Sequence, residues 1–317
     1  MRRVLSFLFL FAILLSGQDP DDWHQAFPAF RIAGNIYYVG TGDLASYLIA
    51  TPAGHILINT DYEQDVPLIR SSVEKLGFKF ADIKIVLLSH AHDDHVAGTA
   101  AVKMQTGAQL MVMDGDVAAM ESGTTDFQPS DQHWKPVKVD RVLQDGDYVE
   151  IGGTRLLAHL TAGHTKGCTT WTSEVQDGRR TLHVVIECSA NVIPAYKLLN
   201  DPKYPHIADD FEKTFRTLRG LPCDVFLSAH GNSFDLKGKY ARLKTNTENP
   251  FIDPAGYKTY VAEHENSFRR ELDRQRAKLA RNRDIISTRL YAFASTIETW
   301  PMVSRHAFGG RVVRYMF

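Results

Sequence analysis

Short apolar runs separated by turn residues open the chain. Residues 35–39, 46–50 and 55–59 are short β-type runs, and Gly40-Thr41-Gly42-Asp43 and Thr51-Pro52-Ala53-Gly54 read as the turns between them. The period then changes. Val66, Leu68, Ile69, Val73 and Leu76 recur at helical spacing, with Gly77 as a stop. Residues 83–88 are apolar except for Lys84, the pattern of a strand buried on both faces. A helix is predicted over 96–105, ending at Thr106-Gly107. A second strand-rich block covers 137–187, with turns at Gly146, Gly152-Gly153 and Asp177-Gly178. Helices are predicted over 207–218, 236–245 and 254–281, and a short buried strand over 225–227. Two layered halves sharing one core fit this order. The polar stretch 123–136 reads as a mobile loop near a site. Residues 282–317 have no clear period, and no role is assigned to them.

The first residues differ from the rest. Arg2 and Arg3 precede an apolar run over 4–15, and Ser16, Gly17 and Gln18 follow. This is the layout of a secretory signal peptide over 1–18, too short for the ~20 residues that span a bilayer. The expected product is secreted or periplasmic and free of the membrane after cleavage, with a main domain over 19–281. Hydrophobic content of 44%, charged content of 23% and a net charge of -1 are ordinary for a globular protein and give no nucleic-acid signal. Of the three cysteines, an exported chain can pair two.

The chemistry concentrates in His90-Ala91-His92-Asp93-Asp94-His95. At this histidine content, a chance H-x-H-x-D-H somewhere in the chain is roughly a two-in-a-thousand event. It directly follows a predicted strand, where α/β proteins place their sites. Imidazole and carboxylate both suit zinc, and a catalytic zinc takes three protein ligands and an open position. Four donors are too few for two ions, which want about six. His164 and His230 each follow an apolar run and adjoin a glycine, though alone each is an ordinary loop histidine. His24, His55, His133, His159, His183, His206, His264 and His306 are read as surface or core residues, and Asp93 as a solvated neighbour.

With these residues in view, the chain resembles the metallo-β-lactamase superfamily, and within it the third subclass of class B β-lactamases. The resemblance rests on residues 30–41, on the cluster with Val96-Ala97-Gly98, on 163–171, on Ala229-His230-Gly231 and on 249–257. It implies an α+β fold, a four-layer αβ/βα sandwich. It implies two zinc ions per chain, one held by His90, His92 and His164, the other by Asp94, His95 and His230. It further implies hydrolysis of the β-lactam amide bond of penicillins, cephalosporins and carbapenems by a metal-bridged hydroxide. Asp94, the catalytic residue, would orient that hydroxide. The family's cysteine ligand is not expected, because His95 fills that role and Ser189 stands near that position. Ser189 and Asn191 are the expected substrate contacts, although family members often carry a second serine where Asn191 stands. Asn59-Thr60-Asp61 likewise departs from a pattern that often begins with aspartate. Cys168 and Cys188 lie on segments that can be neighbouring strands, and a disulfide between them is expected, with Cys223 free. A monomer is expected. Hydrolysis of lactones or thioesters on the same scaffold competes with the lactamase reading, and a non-catalytic binding protein would have lost ligands that this chain retains.

Overall fold

A computed structural model of the protein describes residues 20–298 apart from 126, 128–131 and 195. The signal-peptide expectation lies outside the described residues, as does the end of the 282–317 segment. The chain divides into a unit ending at Arg270 and a second unit from Glu271 onward.

Two mixed sheets carry the first unit. The first contains β1 (Phe30–Ala33), β2 (Ile36–Tyr38), β3 (Tyr47–Thr51), β4 (Gly54–Ile58), β5 (Ile83–Leu87), β6 (Gln109–Met113) and β7 (Arg141–Leu143), in that spatial order. Antiparallel pairing up to β4 gives way to parallel pairing from β4 to β7. That is why β4 and β5 read as continuous apolar runs. The second sheet is ordered β12-β11-β10-β9-β8, with β8 (Tyr148–Ile151), β9 (Thr154–Leu160), β10 (Thr169–Asp177), β11 (Arg180–Glu187) and β12 (Val225–Ser228).

Helices cover both outer faces. Leu48, Leu57, Val86 and Leu110 pack against α1 (Val66–Lys75), α3 (Thr99–Thr106) and α4 (Asp114–Ser122) through Val66, Ile69, Val73, Val102 and Met120. On the far side, Phe211 and Phe215 of α5 (Ile207–Gly220) stack with Phe268 of α7 (Pro254–Glu298). Tyr257 and Tyr260 of α7 meet Phe226 of β12. Each of these buried aromatics is worth about 3–5 kcal/mol against truncation to alanine. Buried hydrogen bonds tie the sheets face to face: the Trp171 indole donates to the Leu88 carbonyl, and the Tyr47 hydroxyl to the Ser228 carbonyl. This is the expected αβ/βα sandwich.

Several elements differ from expectation. The helix predicted over 96–105 is two pieces, α2 (Asp93–Val96) and α3, because Gly98 N–H bonds outward to the Asp61 carbonyl rather than along the helix. The block 137–187 is strand-rich as expected, with β7 joining the first sheet and β8–β11 the second. β6 and α4 were not anticipated. The last helix runs past 281 to Glu298, with no proline or glycine to stop it. The 123–136 stretch is tied at its base, where Trp134 N–H donates to the Gly123 carbonyl. Cys168 and Cys188 form the expected disulfide, and Cys223 is free.

Candidate metal centre

The candidate donors sit on segments that leave strand C-termini. His90 and His92 follow β5, and His92 caps the short α2, which carries Asp94 and His95. His164 lies between β9 and β10, Ser189 and Asn191 follow β11, and His230 follows β12. The fold thus gathers residues up to 140 positions apart into one cluster, in which His230 is half-buried and Asn191 exposed.

Two donor groups form. His90, His92 and His164 bring three ligand atoms within 4.8 Å of one another. His90 Nε2 and His92 Nε2 are buried without a hydrogen-bond partner among the described residues. In the second group, His95 Nε2 lies 3.2 Å from Asp94 Oδ2 and 3.2 Å from His230 Nε2, and His230 Nε2 lies 3.4 Å from Asp94 Oδ2. Three atoms each 2.0–2.1 Å from a tetrahedral zinc stand about 3.3 Å apart, so this donor set fits zinc. The groups adjoin, with the His90 and His95 rings 4.4 Å apart. Asp93 belongs to neither group. Its carboxylate accepts from the Asp94 N–H.

The electrostatics suit a cation. Burial, reinforced by neighbouring imidazoles, pushes His90 and His92 well below the usual histidine range. Burial also lowers His95 to about 4, against the pull of Asp94, and His164 to about 4. These rings are neutral and offer lone pairs. Burial alone would raise the Asp94 carboxyl, but His95 and His230 hold it far below its ordinary value. Burial would lower His230, yet its bonds to Asp43 and Asp94 raise it to about 10. A cation taking this nitrogen would displace its proton.

Surrounding contacts orient these side chains. His164 Nδ1 donates to the Asn191 carbonyl at 2.9 Å, which directs Nε2 toward the group. His230 Nδ1 lies 3.0 Å from Asp43 Oδ2, and Asp43 also accepts from Trp23 Nε1 and Asn232 N–H. Asn59 takes a left-handed backbone (φ 64°), which asparagine tolerates. Its amide donates to the Ala45 carbonyl and accepts from both the N–H and hydroxyl of Ser89, the residue before His90. An aspartate there could not donate, which gives the departure at this position a physical reason. The Ser189 hydroxyl donates to the Asn191 side-chain oxygen. In the sequence Asp43 reads only as a turn residue, since nothing near it marks it as a partner of His230.

A family model for the metallo-beta-lactamase superfamily matches residues 39–177. The native FEZ-1 metallo-beta-lactamase from Legionella gormanii is 51% identical, covers 80% of this chain and 98% of its own, and superposes with a TM-score of 0.78. The chain belongs to the metallo-β-lactamase superfamily. It therefore shares the fold of a family of hydrolases. BJP-1 of Bradyrhizobium japonicum, a subclass B3 metallo-beta-lactamase, is 39% identical over 82% of this chain and 98% of its own, with a TM-score of 0.77. Among curated proteins, the hydroxyacylglutathione hydrolase of Rhodopseudomonas palustris is 30% identical over 123 residues, which is 39% of this chain and 40% of that relative. Within the superfamily, then, the likeness to a subclass B3 enzyme spans 82% of this chain, and the likeness to the hydroxyacylglutathione hydrolase is confined to part of each chain. No helix among the described residues is long and apolar enough to cross a membrane.

Proposed function

We propose that this protein is an exported two-zinc hydrolase that opens the amide bond of β-lactams. The substrate class rests on one observation above others, the 51% identity to FEZ-1 along 98% of that enzyme. In this reading His90, His92 and His164 hold one zinc, and Asp94, His95 and His230 the other. Bound zinc supplies Lewis acidity and lowers the pKa of water toward ~7. The chain's own residues supply the rest. Asp94 has acceptor capacity beyond its ion pairs, and it orients the attacking water. Ser189 and Asn191 flank Ala190, Asn191 meets His164 through its carbonyl, and the pair offers a hydroxyl and an amide to the substrate carboxylate. Water adds to the carbonyl carbon, the ring C–N bond breaks, and the nitrogen leaves with a proton. The leader over 1–18, a catalytic domain over 19–281 and a monomeric state belong to the same proposal.

The curated thioester hydrolases favour a second reading, cleavage of thioesters or lactones by the same two-zinc site. One experiment separates the two. Purified mature protein is assayed with nitrocefin, a carbapenem and a glutathione thioester, before and after chelation and zinc return. The expected result is lactam turnover that chelation abolishes and zinc restores. Two bound zincs with no lactam turnover would sink the first reading, and thioester turnover alone would install the second.

A further inference from the structure

Outside the two donor groups, one buried carboxylate touches both segments that carry the three histidines. Asp116 stands in the first turn of α4 and is 4% exposed. Its Oδ2 accepts from the Ala91 N–H at 2.8 Å and from the Thr165 hydroxyl at 2.8 Å. Its Oδ1 accepts from the Gly167 N–H at 2.8 Å. Ala91 lies between His90 and His92, and Thr165 directly follows His164.

The contact is built from both sides. A Cβ on Gly115 would stand 2.2 Å from the Lys166 carbonyl oxygen, and one on Gly167 would stand 2.4 Å from the Asp116 nitrogen. Two glycines thus admit the close approach that brings the carboxylate between the segments. The need for such a tie follows from topology. His90 and His92 leave β5 of one sheet, while His164 leaves β9 of the other. A metal site tolerates ligand distances within about 0.2 Å, and the Asp116 bonds join the two loops beside the Thr169 N–H bond to the Ser89 carbonyl. Asp94, His95 and His230 are outside this tie, and His230 has its own anchor in Asp43.

We propose that Asp116 is the positioning residue of the three-histidine site, setting the spacing between the His90–His92 segment and His164. This rests on the two-zinc reading above. Its signature is selectivity, because loss of Asp116 weakens the first site and spares the second. A carboxylate that served only general stability would affect both.

The test uses two parents, His230→Ala, which retains the three-histidine site, and His90→Ala, which retains the other. Zinc affinity of the remaining site is measured by competition with a chromophoric chelator, with and without Asp116→Asn. Weakening by about 10–100-fold is expected in the His230→Ala parent, with no change in the His90→Ala parent. Thr165→Val removes one of the three donors and should give a smaller loss of the same selectivity. Thermal melts of the metal-free variants check folding, and Thr165→Val carries the test if Asp116→Asn does not fold. Equal losses in both parents, or no loss in the first, would overturn the proposal while leaving the zinc reading intact. Parents that bind no zinc would remove both.

Discussion

His230 faces two carboxylates at once: its Nδ1 lies 3.0 Å from Asp43 Oδ2 and its Nε2 3.4 Å from Asp94 Oδ2. Asp43 is 187 residues away in sequence and is itself held by Trp23 and Asn232. One carboxylate thus fixes the ring, and the other shares its second nitrogen with the metal group.

Asp43→Asn keeps the size and removes the charge. Its amide nitrogen can donate to His230 Nδ1, which would move the ring proton to Nε2 and block the metal-facing lone pair. Zinc affinity at the Asp94, His95 and His230 group should fall about 10–100-fold, as read by chelator competition. Unchanged affinity would show that Asp43 does not orient this histidine.

Asp94→Ala removes the only carboxylate from the donor set. On the proposed two-zinc lactamase reading, lactam turnover should fall by about 100-fold or more, and zinc content should drop from two per chain toward one. Elemental analysis with steady-state rates checks both. A variant with two zincs and wild-type rates would take Asp94 out of the mechanism.

Glu187 is buried at the end of β11 and accepts from the Tyr260 and Ser228 hydroxyls. Burial raises it from 4.5 to about 7, outweighing those two bonds. The folded chain therefore holds this proton more tightly than the unfolded chain does. Its contribution is fully present below about pH 4.5 and is lost as pH rises through about 7, on the order of 3 kcal/mol in all. Glu187→Gln cannot titrate. Between pH 5 and pH 8 its melting temperature should therefore fall less than that of the wild type. Parallel profiles for the two proteins would contradict this account.

The Cys168–Cys188 bridge closes a loop with a sequence separation of 20. Loop entropy assigns such a bridge about 3 kcal/mol. The Cys168→Ala, Cys188→Ala double variant should melt several degrees lower, and the unfolded, unreduced wild type should titrate one thiol, from Cys223. Three titratable thiols without reductant would exclude the bridge.

Residues 90–95 pointed to a candidate metal centre without help, because they place four possible donors on one short segment after a buried strand. The alternating and helical runs likewise marked most strands and helices, since those periods follow from local backbone geometry. His164 and His230 were legible only through resemblance, for a single histidine after a strand carries no mark of its own. Asp43 and Asp116 were not legible at all. They act through hydrogen bonds that cross 187 and 51 residues, and α4, which presents Asp116, was missed as an element. The break at Gly98 was hidden for the same reason, since its N–H leaves the helix for the distant Asp61 carbonyl. The sequence by itself determined the clustered candidate donors at 90–95 and the periods. The spacing of those donors, their proton states and their supports were decided only when two sheets met face to face, because burial and long-range hydrogen bonds exist only in the folded chain.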